Sequence, residues 1–203
     1  MDNYEYIIAS LPVLQQDDVK PGQLVAQELF DEIREQLSAR DASLLDLLLD
    51  GYDPERLDAE FYRGALRHRN RFIREWFRFD LDLRNATVAF LNDSLGRPDG
   101  QDIVRLEGRE TDEFMEAEAV EAILNCGDIL KRERGLDDLR WQKIDELTVL
   151  DFFDIEAILG YAAKLKIIDR WLQLDPEAGR QLFRRLVEDI RSTYDNKKQN
   201  ITI

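Results

Sequence analysis

Apolar residues recur every three or four positions along most of this chain, which is the spacing that places them on one face of an α-helix. The first such run lies between residues 22 and 37 and consists of Leu24, Val25, Leu29, Ile33 and Leu37. Leucine clusters predict a second helix from Asp41 to Asp50, which ends at Gly51. The opening segment, residues 4–11, is equally compatible with a short helix and with a strand. No alternation of apolar and polar residues indicates strands elsewhere, so an all-α fold is predicted.

The longest predicted helix begins at Pro54 and ends near Ser94. Its apolar residues fall on one broad arc at about 100° per residue. They are Phe61, Leu66, Phe72, Ile73, Trp76, Phe77 and Phe79. Its arginines follow one another at steps of 4, 4, 3 and 4 residues, and we call this set the arginine ridge: Arg63, Arg67, Arg71, Arg74 and Arg78. On one continuous helix, that spacing places the arginine ridge opposite the apolar arc.

Four further helices are predicted in the second half of the chain. They span residues 111–134, ending at Gly135, and residues 136–147, 149–174 and 176–194. The Asp-Pro pairs at residues 53–54 and 175–176 fit helix starts, because Asp caps the first turn and Pro tolerates the first helical position. The prediction is therefore one multi-helix bundle, residues 1–203, around a long central amphipathic helix.

Two segments of this predicted domain are expected to move. A glycine- and proline-containing turn at residues 96–100 predicts a hinge near residues 96–108. The polar tail, residues 195–203, is expected to fray.

An aromatic–Asp step precedes two apolar helical runs, at Phe79-Asp80 and at Phe153-Asp154. One interpretation of this weak echo is that the bundle contains repeated helical units. The other is that such pairs are simply common at helix junctions, and the sequence leaves both open.

The charge balance narrows the range of partners. There are 28 lysines and arginines against 43 aspartates and glutamates, which gives a formal net charge of -15. DNA and anionic lipid headgroups repel such a chain unless its basic residues are concentrated locally. No segment approaches the ~18 continuous apolar residues of a membrane-spanning helix. The lone Cys126 favours a reducing compartment. We therefore expect a cytoplasmic protein that binds no nucleic acid and reaches a membrane only through a protein partner.

Little in the chain resembles a catalytic or metal centre. The single histidine, His68, lies among arginines that favour its neutral form, and no nucleophile motif accompanies it. A di-iron bundle site needs two Glu-x-x-His pairs, which one histidine cannot supply. The pairs Asp17-Asp18 and Asp137-Asp138 lack the ligand spacing of a calcium loop and are interpreted as solvated helix starts. Phosphate-binding glycine motifs are absent as well, so no cofactor, metal or enzymatic activity is expected.

The arginine ridge, together with His68, is the candidate interface. It is interpreted as a solvated face that pairs with neighbouring acidic helices, or as a surface for an acidic partner. A third interpretation, nucleic-acid binding, is opposed by the overall charge.

The segment from Glu75 to Ala86, which leads into an apolar helix and Gly96-Arg97, carries a family signal. It resembles the Asp–apolar–x–Asn step, followed by an apolar helix and a glycine-containing loop, of the C subunit of V/A-type rotary ATPases (subunit d in eukaryotic enzymes). The N-terminal stretch 4–9 is similar to the opening aromatic-x-aromatic segment of that family. A further copy of the step, without its Asn, is similar to residues 151–159. The family-like positions are Asp80, Asn85 and Asp154.

The whole chain also resembles a group of short bacterial proteins of unassigned function that are related to this subunit and associated with V-type ATPases. The full-length subunit is longer and has three similar helical units. The resemblance implies a non-catalytic part of an ion-transporting enzyme, which would sit on the cytoplasmic face of the rotor ring, receive the central shaft and pass torque through packed helices. The alternative is a general helical adaptor or assembly protein that binds an acidic partner through the arginine ridge.

Overall fold

The computed structural model describes residues 4–16, 25–109 and 113–174. These residues form eight helices and no strand, so the predicted all-α fold is confirmed. The helices are α1 (Glu5–Ser10), α2 (Ala26–Gln36), α3 (Ala39–Asp50), α4 (Ala59–Leu66), α5 (Arg71–Leu95), α6 (Ala117–Leu124), α7 (Ile129–Thr148) and α8 (Ile155–Leu172). The ambiguous opening segment is therefore helical. The predicted helix 176–194, its Asp-Pro start and the tail 195–203 lie outside the described residues.

The prediction of one helix from Pro54 to Ser94 is wrong, because the chain breaks between α4 and α5. Asn70 caps α5 by accepting a hydrogen bond from the backbone N–H of Ile73 at 2.9 Å. The backbone N–H of Asn70 in turn donates to Nδ1 of His68 at 3.0 Å. These side-chain bonds satisfy backbone groups that a continuous helix would have paired internally. The start of α4 also differs from the prediction, since its cap is Asp58.

A second break separates α6 from α7, so the predicted helix 111–134 is also wrong. Asp128 caps α7 through Oδ1, which accepts from the N–H groups of Leu130 at 2.9 Å and Lys131 at 3.2 Å. Gly135, the predicted end of a helix, lies inside α7. A Cβ added at Gly135 would lie 3.0 Å from the side chain of Ile123 in α6. The glycine therefore allows close packing of α6 on α7 instead of ending a helix.

The 25-residue α5 packs against α4, α6, α7 and α8 and carries most of the aromatic core. Its apolar arc is buried as predicted, with Phe72, Trp76, Phe77 and Phe79 all at most 3 % exposed. Helix α7 runs antiparallel to α5, because Arg71 at the start of α5 donates to the carbonyl of Leu147 at the end of α7. Helix α8 folds back along α7 and contacts α2, α3 and α5.

The segment after α5 is fastened along that helix. Gly96 ends α5 in the left-handed conformation at φ 61°, where glycine is favoured. Asn85 donates to the carbonyl of Val104 at 2.9 Å and accepts from its N–H at 3.0 Å. Asn92 donates to the carbonyl of Gln101 at 2.7 Å. The hinge near residues 96–108 stays a prediction about motion.

The N-terminal helix α1 is anchored by two hydrogen bonds of Tyr4, the residue that precedes it. The backbone N–H of Tyr4 donates to the carbonyl of Phe153 at 2.7 Å. Its hydroxyl donates to Oδ2 of Asp41, in α3, at 2.6 Å. Among the described residues, no helix has the length and apolar character needed to span a membrane.

Candidate functional site

The break between α4 and α5 divides the arginine ridge. Arg63 lies in α4 and pairs with Glu60, one turn away. Arg67 is the residue that ends α4 and is exposed. Arg71 begins α5 and donates to Oδ2 of Asp151 at 2.6 Å.

The remaining two arginines of the ridge are paired within α5. Arg74 and Arg78 both contact Glu75, with nitrogen–oxygen distances of 3.0 and 3.3 Å. Arg74 also donates to the backbone carbonyl of His68 at 3.2 Å. Four of the five ridge arginines therefore pair with carboxylates while Arg67 does not, and the structure does not bring the five together as one row.

His68 lies in the turn between these helices, partly buried. Desolvation lowers the pKa of its imidazole, and the charges of Arg40 and Arg74 lower it further. The ring uses Nδ1 as an acceptor for the N–H of Asn70, which requires the unprotonated nitrogen. This agrees with the neutral imidazole expected from the sequence.

The three family-like positions are far from equivalent. Asp80 is 7 % exposed in the middle of α5 and accepts from the hydroxyl of Tyr62 at 2.6 Å and from Nε of Arg84 at 2.8 Å. Asn85 fastens the segment after α5. Asp154 caps α8 by accepting from the N–H of Ala157 at 3.2 Å. Asp80 lies within a helix whereas Asp154 begins one, so the two aromatic–Asp steps occupy different positions in their helices.

A second buried carboxylate, Asp137, faces the same region from α7. It is 1 % exposed. Its Oδ1 accepts from Arg140 at 2.9 Å, and its Oδ2 accepts from Trp171 Nε1 at 2.7 Å and from Arg170. The interpretation of Asp137 as part of a solvated helix start is therefore wrong. Its partner in that pair, Asp138, is bonded to Gln16 at an exposed position, and Asp17-Asp18 lies outside the described residues.

We call the group formed by Asp80, Arg84, Asp137, Arg140 and Arg170 the arginine–aspartate junction. It joins α5, α7 and α8 around a cavity of about 340 Å³. Tyr52, Trp76, Lys166, Ile167, Asp169 and Gln173 complete the lining. Sequence analysis missed this site, because its members come together only when the three helices pack against one another.

The phenol of Tyr52 stands out in this cavity. Its oxygen is buried and has no hydrogen-bond partner among the described residues. Burial raises the pKa of Tyr52, and the negative charge of Asp80 raises it further. The hydroxyl is therefore a neutral donor that remains available.

The turn between α7 and α8 exposes apolar side chains, whereas the arginine–aspartate junction buries charged ones. Four large apolar side chains are exposed there, at 64 % for Val149, 81 % for Leu150, 66 % for Phe152 and 50 % for Phe153. We call residues 149–153 the apolar turn. The sequence prediction placed these residues inside a helix, which hid the signal of five consecutive positions with four large apolar residues.

Asp151, inside the apolar turn, is bound by Arg71. Burial raises the pKa of its carboxyl group, and the neighbouring charge of Asp154 raises it further, while Arg71 acts in the opposite direction. No group of histidine, cysteine or acidic residues in the part of the chain that the structure describes is arranged to hold a metal ion.

Comparison with known proteins gives one match. A family described as a protein of unknown function, DUF2764, matches residues 109–194, which is less than half of the chain. The matched part contains α6, α7 and α8, and hence the apolar turn and the side of the junction formed by Asp137, Arg140 and Arg170. No curated protein and no solved structure matches the chain.

Proposed function

We propose that this chain is a non-catalytic accessory or central-stalk-type subunit of a V-type rotary ATPase, which couples the rotor ring to the central shaft. In this proposal it is cytoplasmic and lies at the membrane surface through its protein partners. The proposed partners are the rotor ring and the shaft.

The apolar turn is the observation that carries the proposal. Exposing four large apolar side chains on five residues is unfavourable in water, and contiguous exposed apolar surface commonly marks a protein–protein contact. The turn is held in place by Arg71, which binds both Asp151 and the carbonyl of Leu147. A surface that is apolar and also fixed is suited to docking, because little conformational freedom is lost on binding.

The identity of the partner rests on the sequence resemblance to the C subunit of V/A-type ATPases. Its family-like positions have structural roles that suit a load-bearing part. Asn85 ties the following segment to α5, and Asp154 caps the helix that follows the apolar turn. Neither position needs to take part in bond chemistry to fulfil these roles.

The test is recovery of ATPase subunits with the tagged full-length chain from its native cells, after solubilisation of the membranes in mild detergent. The wild type is compared with the double variant Leu150→Ser, Phe152→Ser in the apolar turn. We expect the wild type to recover rotor-ring and shaft subunits, and the variant to recover about tenfold less, as for loss of central apolar contacts.

The matched control is Leu91→Ser with Leu95→Ser. These leucines are 44 % and 60 % exposed near the end of α5, away from the apolar turn. The control should recover the ATPase subunits like the wild type. Failure of the wild type to recover any of them would refute the proposed function.

The adaptor function remains the second candidate, because two arginines near the break are available for a partner. Arg67 and Arg69 are exposed and form no ion pair with any described residue. The variant Arg67→Glu with Arg69→Glu tests it, while Arg71 is left intact because it holds the apolar turn. Loss of an acidic partner with unchanged helicity, in a chain that recovers no ATPase subunits, would favour the adaptor.

A further inference from the structure

The cavity of the arginine–aspartate junction is richer in cations than the chain as a whole. Its lining contains four cationic side chains against three carboxylates, whereas the chain has 28 basic and 43 acidic residues. Arg170 is divided between Asp137 and Glu133. Of the other three cations, Arg84 pairs with Asp80 and Arg140 with Asp137, and only Lys166 has no carboxylate partner among the described residues.

These three side chains keep most of their hydrogen-bond donors. Arg84 uses Nε for Asp80, and Arg140 uses one Nη1 hydrogen for Asp137. An arginine has five donors in a rigid fork. Lys166 has no carboxylate partner among the described residues, and its ammonium group lies 5.7 Å from the ring centroid of Tyr52.

The acceptors of the cavity are largely used. Both oxygens of Asp137 accept hydrogen bonds from Arg140, Arg170 and Trp171. Oδ2 of Asp80 accepts two. Asp169 accepts from Gln173 one turn along α8. The cavity thus has more free donors than free acceptors and one cation, Lys166, without a carboxylate partner among the described residues, and the unpartnered hydroxyl of Tyr52 adds one more donor.

We propose that this cavity binds a small phosphate-type oxyanion between Arg84, Arg140, Lys166 and the hydroxyl of Tyr52. A phosphate group supplies several acceptor oxygens and negative charge at once, which matches arginine forks and a lysine ammonium. Water accepts hydrogen bonds but brings no charge. A metal cation is opposed, because Asp80 and Asp137 are already bound to arginines. This inference does not depend on the proposed function.

The size of the cavity limits the ligand. A volume of about 340 Å³ lies at the small end of ligand pockets in proteins. Inorganic phosphate and pyrophosphate are therefore the probes, and acetate tests for general carboxylate binding. The full-length chain is titrated by calorimetry in a phosphate-free buffer of low ionic strength, because salt screens such contacts.

Two variants remove the donors that no described carboxylate uses. Tyr52→Phe deletes only the hydroxyl, and Lys166→Met deletes the ammonium but keeps the length of the side chain. Each is expected to weaken binding of the better probe by about tenfold. Neither change breaks a hydrogen bond or ion pair with another described residue, so both should fold. Lys166→Gln replaces Lys166→Met if circular dichroism shows loss of helix.

The matched controls are Tyr161→Phe and Lys164→Met, on α8 and outside the lining. Tyr161 donates to the carbonyl of Pro12, and Lys164 pairs with Asp145. Both controls should bind the probe like the wild type. The proposal is overturned if neither probe binds below about 10 mM, if acetate binds as tightly as phosphate, or if Tyr52→Phe and Lys166→Met bind like the wild type.

Discussion

The arginine–aspartate junction and the apolar turn occur on the same two helices, α7 and α8, and treat polarity in opposite ways. At the junction, the carboxylate of Asp137 is 1 % exposed. At the apolar turn, the side chain of Leu150 is 81 % exposed. Charges are buried at one place while large apolar groups face water at the other.

The difference shows that partners, more than polarity, decide where a side chain lies. Burying a carboxylate is costly unless hydrogen bonds and opposite charges compensate. Three donors from Arg140, Arg170 and Trp171 compensate Asp137. The apolar turn has no such compensation within the described chain. The first region contributes to folding, and the second is available for binding.

Trp76, which lines the cavity of the junction, is expected to contribute most to stability among the residues compared. It is 2 % exposed and packs between Phe72 and Phe79, with ring centroids 6.3 and 5.9 Å away. Trp76→Ala should reduce the free energy of unfolding by about 3–5 kcal/mol, through lost contacts and a cavity. Urea denaturation followed by circular dichroism measures it. Val149→Ala in the apolar turn is the control. An equal loss of stability in this variant would show that the apolar turn contributes to the folded state as much as the junction does.

Asp137→Ala tests the polar part of the junction. The change leaves Arg140 and Arg170 without their shared carboxylate, and we expect a loss of about 3 kcal/mol, at the low end for a broken buried pair because Arg170 is partly exposed. The same urea experiment measures it. Asp138→Ala, at the neighbouring exposed position, should change stability by less than about 0.5 kcal/mol. If Asp137→Ala and Asp138→Ala unfold at the same urea concentration, the buried pairing of Asp137 contributes nothing to stability.

Glu156, at the start of α8 beside the apolar turn, is expected to have a smaller effect on stability, and this effect depends on pH. Its Oε1 accepts from Asn70 at 2.9 Å, while its Oε2 is buried without a partner among the described residues. Burial raises the pKa of this carboxyl group above 4.5, and the charges of Asp154 and Asp151 add to the effect while Arg71 opposes it.

Because the folded chain then holds this proton more tightly than the unfolded chain, stability falls as the pH rises from 4.5 through the raised pKa. Glu156→Gln removes this loss. The variant should therefore gain stability relative to the wild type at pH 7 and lose that advantage near pH 4. Urea midpoints at both values measure it, with Glu118→Gln on the exposed face of α6 as control. A constant difference across this range would contradict the assignment.

The double variant Leu150→Ser, Phe152→Ser tests whether the apolar turn contributes to stability. We expect the free energy of unfolding to change by less than about 0.5 kcal/mol, because these side chains are exposed. Binding of a hydrophobic fluorescent dye by the folded chain should fall. A large loss of stability would show instead that the apolar turn is part of the core.

The sequence was sufficient for the fold class and for the apolar face of α5, because periodicity reports burial directly. It was insufficient for the break at residues 67–70, where neither glycine nor proline interrupts the pattern. There the side chains of His68 and Asn70 accept hydrogen bonds from the backbone in place of helical carbonyls. The spacing of apolar residues does not show that such side-chain bonds end a helix. The break at Asp128 has a capping signal in the sequence. Gly135 nevertheless resembles the end of a helix, because one sequence does not show that the glycine allows close helix packing.

The two candidate sites also differ in how far the sequence could predict them. The apolar turn was visible as a cluster, and only its assignment to a helix concealed it. The junction was not visible, since Asp80, Asp137 and Arg170 come together only after three helices pack. In a chain with this net charge, acidic residues are expected at the surface. Asp80 and Asp137 are buried because hydrogen-bond donors on neighbouring residues compensate their charge.

The two bonds of Tyr4 make the apolar turn part of a mechanical path. In the proposed function, a partner bound to Phe153 would apply force to its carbonyl, which accepts a hydrogen bond from the N–H of Tyr4 at 2.7 Å. The hydroxyl of the same tyrosine passes that force to Asp41 in α3. Load on the turn would then enter the bundle on two sides, through the backbone that joins α7 to α8 and through Tyr4 into α3.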